Sequence, residues 1–172
     1  YKDILHTKGV PLSMLIFIVY CAIEFSIGQW GASYLVSVRT ITIALAGTMI
    51  GTYYAGITIG RILSGFISFK INNLQLVLSG IVIFIIASII MLLKLPIYFL
   101  FIGFFLQGFG LAPIFPSLTH ETPTRFGRDK SQHVIGLQMA SAYVGASVFP
   151  ALFGVMARIT SLSIYPIYIL VF

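Results

Sequence analysis

Apolar residues run through this chain in long stretches separated by short polar breaks. The stretches cover 11–38, 43–69, 74–93, 96–119 and 133–157, and a last one starts at 163 and stops at 172. A bilayer core about 30 Å thick needs roughly 20 apolar residues to be crossed as a helix, so the first five are long enough. The sixth has ten residues and closes on Ile169-Leu170-Val171-Phe172 with no polar exit. It is expected to be a truncated helix in a piece of a longer protein. The breaks carry turn residues: Lys70-Ile71-Asn72-Asn73, Lys94-Leu95-Pro96 and Ile159-Thr160-Ser161. The longest connection, 119–132, holds Pro123 and Gly127 and is expected to be a loop. No soluble domain interrupts the pattern. The expected fold class is therefore an all-α, polytopic membrane protein, one transmembrane domain over residues 1–172.

Composition agrees. Hydrophobic residues make up 59% and charged residues 8%, against about a quarter charged in soluble domains. A net charge of +6 spread over isolated basic residues forms no patch for nucleic acid. Its placement is a topology signal instead. Lys2, Lys8, Arg61, Lys70, Arg125, Arg128 and Lys130 fall on the side of the N-terminus, and only Arg39, Lys94 and Arg158 on the other. The positive-inside rule then puts the N-terminus in the cytoplasm of a multi-pass cell-membrane protein.

Glu24, in the middle of the first span, is the most informative residue. An acid at that depth costs at least ~2.5–3.5 kcal/mol to insert, and such residues usually face a cavity and act. It is a candidate proton carrier; the competing reading is a hydrogen-bonded pin between helices. Tyr20, Gly28 and Gly31 share its face at i−4, i+4 and i+7. Gln29 lies five positions on, roughly 140° around the helix, and reaches a shared ligand only if the helix bends or rotates. Trp30 reads equally as an interfacial anchor or as a stacking platform for a ring. Gln107 and Gln138 are amides at membrane depth, which either join helices or hydrogen-bond a hydroxyl-rich ligand. With Glu24 they put polar groups on three spans of one bundle, which favours a cavity.

The third span carries little polarity and is expected to support the bundle from the lipid side. Gly47-x3-Gly51 and Gly56-x3-Gly60-x3-Ser64 in the second span suit close helix approach. Gly103, Gly108, Gly110, Pro113 and Pro116 interrupt the fourth span, and Gly145, Pro150 and Gly154 the fifth. Such helices can bend where neighbours re-satisfy the backbone. The histidines, His6, His120 and His133, all lie at or beyond span ends. There is no HExxH, GxSxG, cysteine pair or nucleotide loop, so neither an enzyme, a metal site nor a cofactor is expected.

Gly60-Arg61-Ile62-Leu63-Ser64-Gly65 is similar to the GRxxxG signature of the eighth helix of the major facilitator superfamily. The whole chain resembles the C-terminal six-helix half of such a transporter. The following loop matches that family's G-x-x-x-D-[RK]-x-G at Gly65 and Lys70, with Phe69 in place of the acid and Asn72 in place of the second glycine. Arg61 is thereby the better gating candidate. Glu24, Gly28 and Trp30 look like the E-x-x-x-G-x-W of the fucose permease branch. Pro113-x2-Pro116, Gly136-x-Gln138, Gly145, Pro150 and Gly154 resemble its tenth and eleventh helices.

The resemblance implies alternating access, with a ligand at the midplane between two six-helix halves. The expected function is half of a secondary active transporter for a small polar, sugar-like solute, coupled to protons. Its expected partners are the lipid bilayer and an N-terminal six-helix half. Glu24, Tyr20, Gln29, Trp30, Tyr54, Gln107 and Gln138 are the expected cavity residues. Gly60, Arg61, Gly65, Arg125 and Arg128 are the expected gating residues. The alternatives are a non-transporting membrane scaffold or assembly subunit, and an uncoupled facilitator.

Overall fold

The computed structural model describes residues 2–93 and 95–171, with backbone only at 2 and 3. Tyr1, Lys94 and Phe172 lie outside the described residues, as do the side expected for Lys94 and the last position of the sixth stretch. The architecture is all helical. After a short α1 (Lys2–Leu5) come α2 (Val10–Ser37), α3 (Ile43–Ile67), α4 (Asn73–Leu92), α5 (Ile97–Leu111), α6 (Ile114–Phe126) and α7 (Arg128–Ile159). A 3-10 turn (Leu162–Ile164) then leads into α8 (Tyr165–Val171). Five helical segments are long and apolar enough to cross a membrane, with α5 and α6 together forming the fourth.

The expected loop at 119–132 is the main correction, because α6 and α7 fill it. The threonines do not end the helix, since their hydroxyls donate back to its own carbonyls. Thr119 Oγ1 donates to the Phe115 carbonyl at 3.0 Å and Thr122 Oγ1 to Leu118 at 3.1 Å. Reversal is left to Gly127 alone, whose φ of 83° favours glycine. The fifth expected stretch, 133–157, likewise grows at both ends into the 32-residue α7. Asn72 starts α4 with a reciprocal capping box: its side chain accepts from the Gln75 amide, and the Gln75 side chain accepts from Asn72.

The bundle is assembled in backbone-close pairs: α2 against α7, and α3 against α5, with α4 on the other side of α5. Glycine makes this possible. A Cβ on Gly108 would stand 2.1 Å from the Tyr53 carbonyl oxygen, and one on Gly56 2.2 Å from that of Phe105. Gly145 meets the Ile18 carbonyl at the same range, 2.2 Å. The Gly56-x3-Gly60 half of the expected packing stripe therefore holds. Gly47 and Gly51 do not take part, as no atom lies within 4 Å of a Cβ built on either. Along α4, the side chains of Leu74, Leu78, Ile81, Val82, Ile85, Ile86 and Ile89 are exposed, an apolar stripe suited to lipid.

Candidate solute and proton site

Helical spacing sets the site. Tyr20, Glu24 and Gly28 stand one above another on α2, and α3 crosses them with Tyr53, Tyr54 and Arg61. Arg61 Nη2 lies 3.3 Å from Glu24 Oε1, the one ion pair among the described residues. The guanidinium side chain is about half exposed (48%), and that of Glu24 only 16%. The pair thus sits at the edge of the packed core, where both partners remain reachable. Tyr20 is buried against Phe115, ring centroids 5.7 Å apart, and its buried hydroxyl has no hydrogen-bond partner.

The backbone beneath the carboxylate is held as well. The Tyr53 hydroxyl donates to the Glu24 carbonyl at 3.1 Å, a bond whose acceptor is already part of the α2 ladder. Tyr53 is fully buried, whereas its neighbour Tyr54 is half exposed. A Cβ on Gly28 would stand 2.3 Å from the Tyr54 hydroxyl. The missing side chain at Gly28 is therefore the seat of that phenol. Gln29 is exposed on α2, so the expected 140° offset holds and the backbone does not bring it onto the Glu24 face.

Three other expected cavity residues have helix partners. Gln107 is buried, and its Nε2 donates to Ser88 Oγ at 3.3 Å, joining α5 to α4. Gln138 is buried too: its Nε2 donates to Ser13 Oγ at 2.6 Å, and its amide is bonded to the Thr122 hydroxyl at 3.0–3.1 Å. That one amide ties α2, α6 and α7. Trp30 donates from Nε1 to the Pro150 carbonyl at 2.8 Å and packs edge-on against Phe153. Trp30 is half-buried, and this bond staples α2 to α7.

The expected gating residues have different surroundings. Arg61 is engaged by Glu24, and Gly60 is pressed against Ala112, whose Cβ would be 2.5 Å from its own. Gly65 is open. Arg125 and Arg128 are exposed around the Gly127 reversal, the Arg125 guanidinium 5.9 Å from the Phe126 ring centroid. At the same end of the bundle Asn73 Nδ2 donates to Glu121 Oε2 at 2.6 Å and approaches His120 Nδ1 at 3.3 Å, clamping α4 to α6.

Tyr53 is a site residue that the sequence reading missed. The Tyr53-Tyr54 pair points to two faces of one helix, and only the exposed member attracted notice. On α7, Tyr143 is 77% exposed, with exposed Gly136, Ala140 and Ser147 on its face. Among the described residues no three His, Cys, Asp or Glu side chains gather. The arrangement offers instead one carboxylate paired with a guanidinium, with the phenols of Tyr20, Tyr53 and Tyr54 nearby.

The family model described as Major Facilitator Superfamily matches residues 10–172. A curated relative is "Bypass of stop codon protein 6" of Saccharomyces cerevisiae, strain ATCC 204508 / S288c. It is 23% identical over 178 residues, covering 97% of this chain and 36% of the relative. The chain thus spans about a third of the length of the relative it matches.

Proposed function

The chain belongs to the Major Facilitator Superfamily, and from that premise we propose that it forms the C-terminal half of a proton-coupled secondary transporter for a small polar solute. One observation carries this reading: the Glu24–Arg61 pair, the sole ion pair of the described residues, lies at the half-open edge of the bundle and not in a sealed core. A charge pair in an apolar span is costly to place. At this position it can open and reclose.

The proton and Arg61 compete for the same carboxylate oxygen. When the proton binds, an O–H bond forms on Glu24 and the 3.3 Å contact to Arg61 loses its charge. The guanidinium is then free to hydrogen-bond a solute. When the proton leaves, the pair re-forms and the solute loses its partner. Tyr53 keeps the α2 backbone still during the exchange, because its bond is to the Glu24 carbonyl and not to the carboxylate. Tyr54 adds a half-exposed phenol against Gly28, one turn from Glu24, which favours a hydroxylated, sugar-like solute of the fucose permease kind. Alternating access would rock this half against an N-terminal six-helix half, with the basic end facing the cytoplasm.

The test uses the full-length protein in proteoliposomes, wild type against Glu24→Gln, over a panel of sugars and related polyols. Proton-driven accumulation is expected to vanish while counterflow exchange persists. Accumulation surviving in Glu24→Gln would refute the coupling role. The scaffold reading rests on the same pair acting as a clamp between α2 and α3. It predicts no solute flux at all, and a thermal stability loss in Glu24→Gln that is independent of pH.

A further inference from the structure

A space with mostly apolar walls, into which several polar side chains reach, opens at the basic end of the bundle, between α3, α4 and α6. It is a cavity of about 510 Å³ lined by Arg61, Ser64, Ser68, Asn73, Ser117 and His120, with Phe69 and Phe115 among its apolar walls. That volume lies within the range of small-molecule sites. No Asp or Glu is among the lining residues. Glu121, next in sequence to His120, is turned to Asn73 and held there at 2.6 Å.

The hydrogen-bonding capacity of the walls is asymmetric. Asn73 Nδ2 carries two hydrogens: one goes to Glu121, and the other points the ring of His120 with Nδ1 as acceptor at 3.3 Å. A neutral imidazole then carries its proton on Nε2, as a donor. Arg61 is a donor only, with one of its nitrogens on Glu24 and half its side chain exposed. Asn73 is also the first residue of the 20-residue α4, and so brings the positive end of that helix to the wall. The α3 wall is opposite in kind. Ser64 Oγ already donates to the Arg61 carbonyl at 3.0 Å and Ser68 Oγ to that of Gly65 at 2.7 Å. What these hydroxyls have left to offer is lone pairs.

A neutral sugar would leave the donor wall without a charge to meet, and a bare inorganic anion would leave the serine lone pairs without donors. We propose that this cavity binds a hydroxylated anion, a phosphate group on a polyol, with the phosphate on Arg61 and His120 and the polyol hydroxyls donating to Ser64 and Ser68. The same chemistry occurs in a free polyol phosphate and in the headgroup of an inositol lipid, and the cavity's place at a helix-bundle end suits either. Because Arg61 serves both the cavity and Glu24, occupancy draws the guanidinium away from the carboxylate. The site is thereby linked to Glu24 but does not depend on the protein being a transporter.

The test is binding, not flux. The full-length protein in phosphatidylcholine nanodiscs is titrated with inositol 1-phosphate and with neutral inositol. In parallel, nanodiscs containing phosphatidylinositol are examined for retained lipid by native mass spectrometry. His120→Gln, at an exposed position, and Arg61→Gln are each expected to weaken binding about tenfold or more. Glu24→Gln, which frees Arg61, is expected to tighten it several-fold. Binding of the soluble phosphate supports the site with a free solute as ligand. Retention of the lipid alone, lost in His120→Gln, supports it with a headgroup as ligand. Neither probe binding, neutral inositol binding as well as the phosphate, or affinity unmoved by both His120→Gln and Arg61→Gln would overturn it.

Discussion

Gly108→Ala is the sharpest test of how the bundle holds its site. The added methyl carbon would sit 2.1 Å from the Tyr53 carbonyl oxygen and 3.0 Å from the Ile57 amide nitrogen. Both are backbone atoms in the middle of α3, so neither can rotate out of the way. To restore ordinary contact the helices must part by about 1.3 Å. That separation would be felt on the reciprocal side, where Gly56 faces the Phe105 carbonyl and Gly60 faces Ala112. Overpacking of this kind costs typically about 1–3 kcal/mol, and the residue displaced is the one whose side chain bonds the Glu24 carbonyl. Gly47→Ala is the matched control: same helix type, no atom within 4 Å of the new carbon, and a helix-propensity gain of up to about 1 kcal/mol. Thermal unfolding of the detergent-solubilised full-length protein reads both. Gly108→Ala is expected to lower Tm by several degrees and Gly47→Ala to leave it or raise it. Equal Tm values for the two would refute the backbone-contact account of the α3–α5 pair.

Gly28→Ala should behave differently, because the atom it meets is the end of a side chain. Tyr54 can swing out, so Tm should barely change while solute affinity shifts, and Gly28→Ala with Tyr54→Phe should recover part of it; equilibrium binding measures this. Gln138→Leu removes the amide that joins Ser13 and Thr122 across three helices. At about 1 kcal/mol per interhelical bond in a membrane, it should destabilise by roughly 1–2 kcal/mol in denaturant titration while transport kinetics stay near wild type. Trp30→Phe loses the bond to the Pro150 carbonyl and should cost about 1 kcal/mol, whereas a platform role would instead show as lost solute affinity at unchanged stability.

The number of long spans was legible because the bilayer constraint acts on composition alone and needs no contact information. Residues 119–132 were not, since polarity was equated with the end of a helix. Once a helix leaves the hydrocarbon it has no reason to stop, and Thr119 and Thr122 show hydroxyls bonding within the ladder. Among site residues, the Tyr20–Glu24–Gly28 stripe was legible because it depends only on spacing within one helix. Arg61 as the partner of Glu24 was not, for it depends on the roll of α3 against α2. Both helices are apolar nearly all round, so their sequences carry no amphipathic stripe to fix that roll. The glycines of α3 do fix it, but only in combination: Gly56 and Gly60 meet α5 while Gly47 and Gly51 meet nothing. Two glycine pairs of the same spacing look alike until the helix they serve is known. Gln107 and Gln138 present the same ambiguity in polar form, because an amide able to hold a solute hydroxyl is equally able to hold a serine on the next helix. Glu24 escapes it only because a carboxylate at that depth needs a partner of opposite charge or a proton, and α3 presents one such partner, half exposed, within reach.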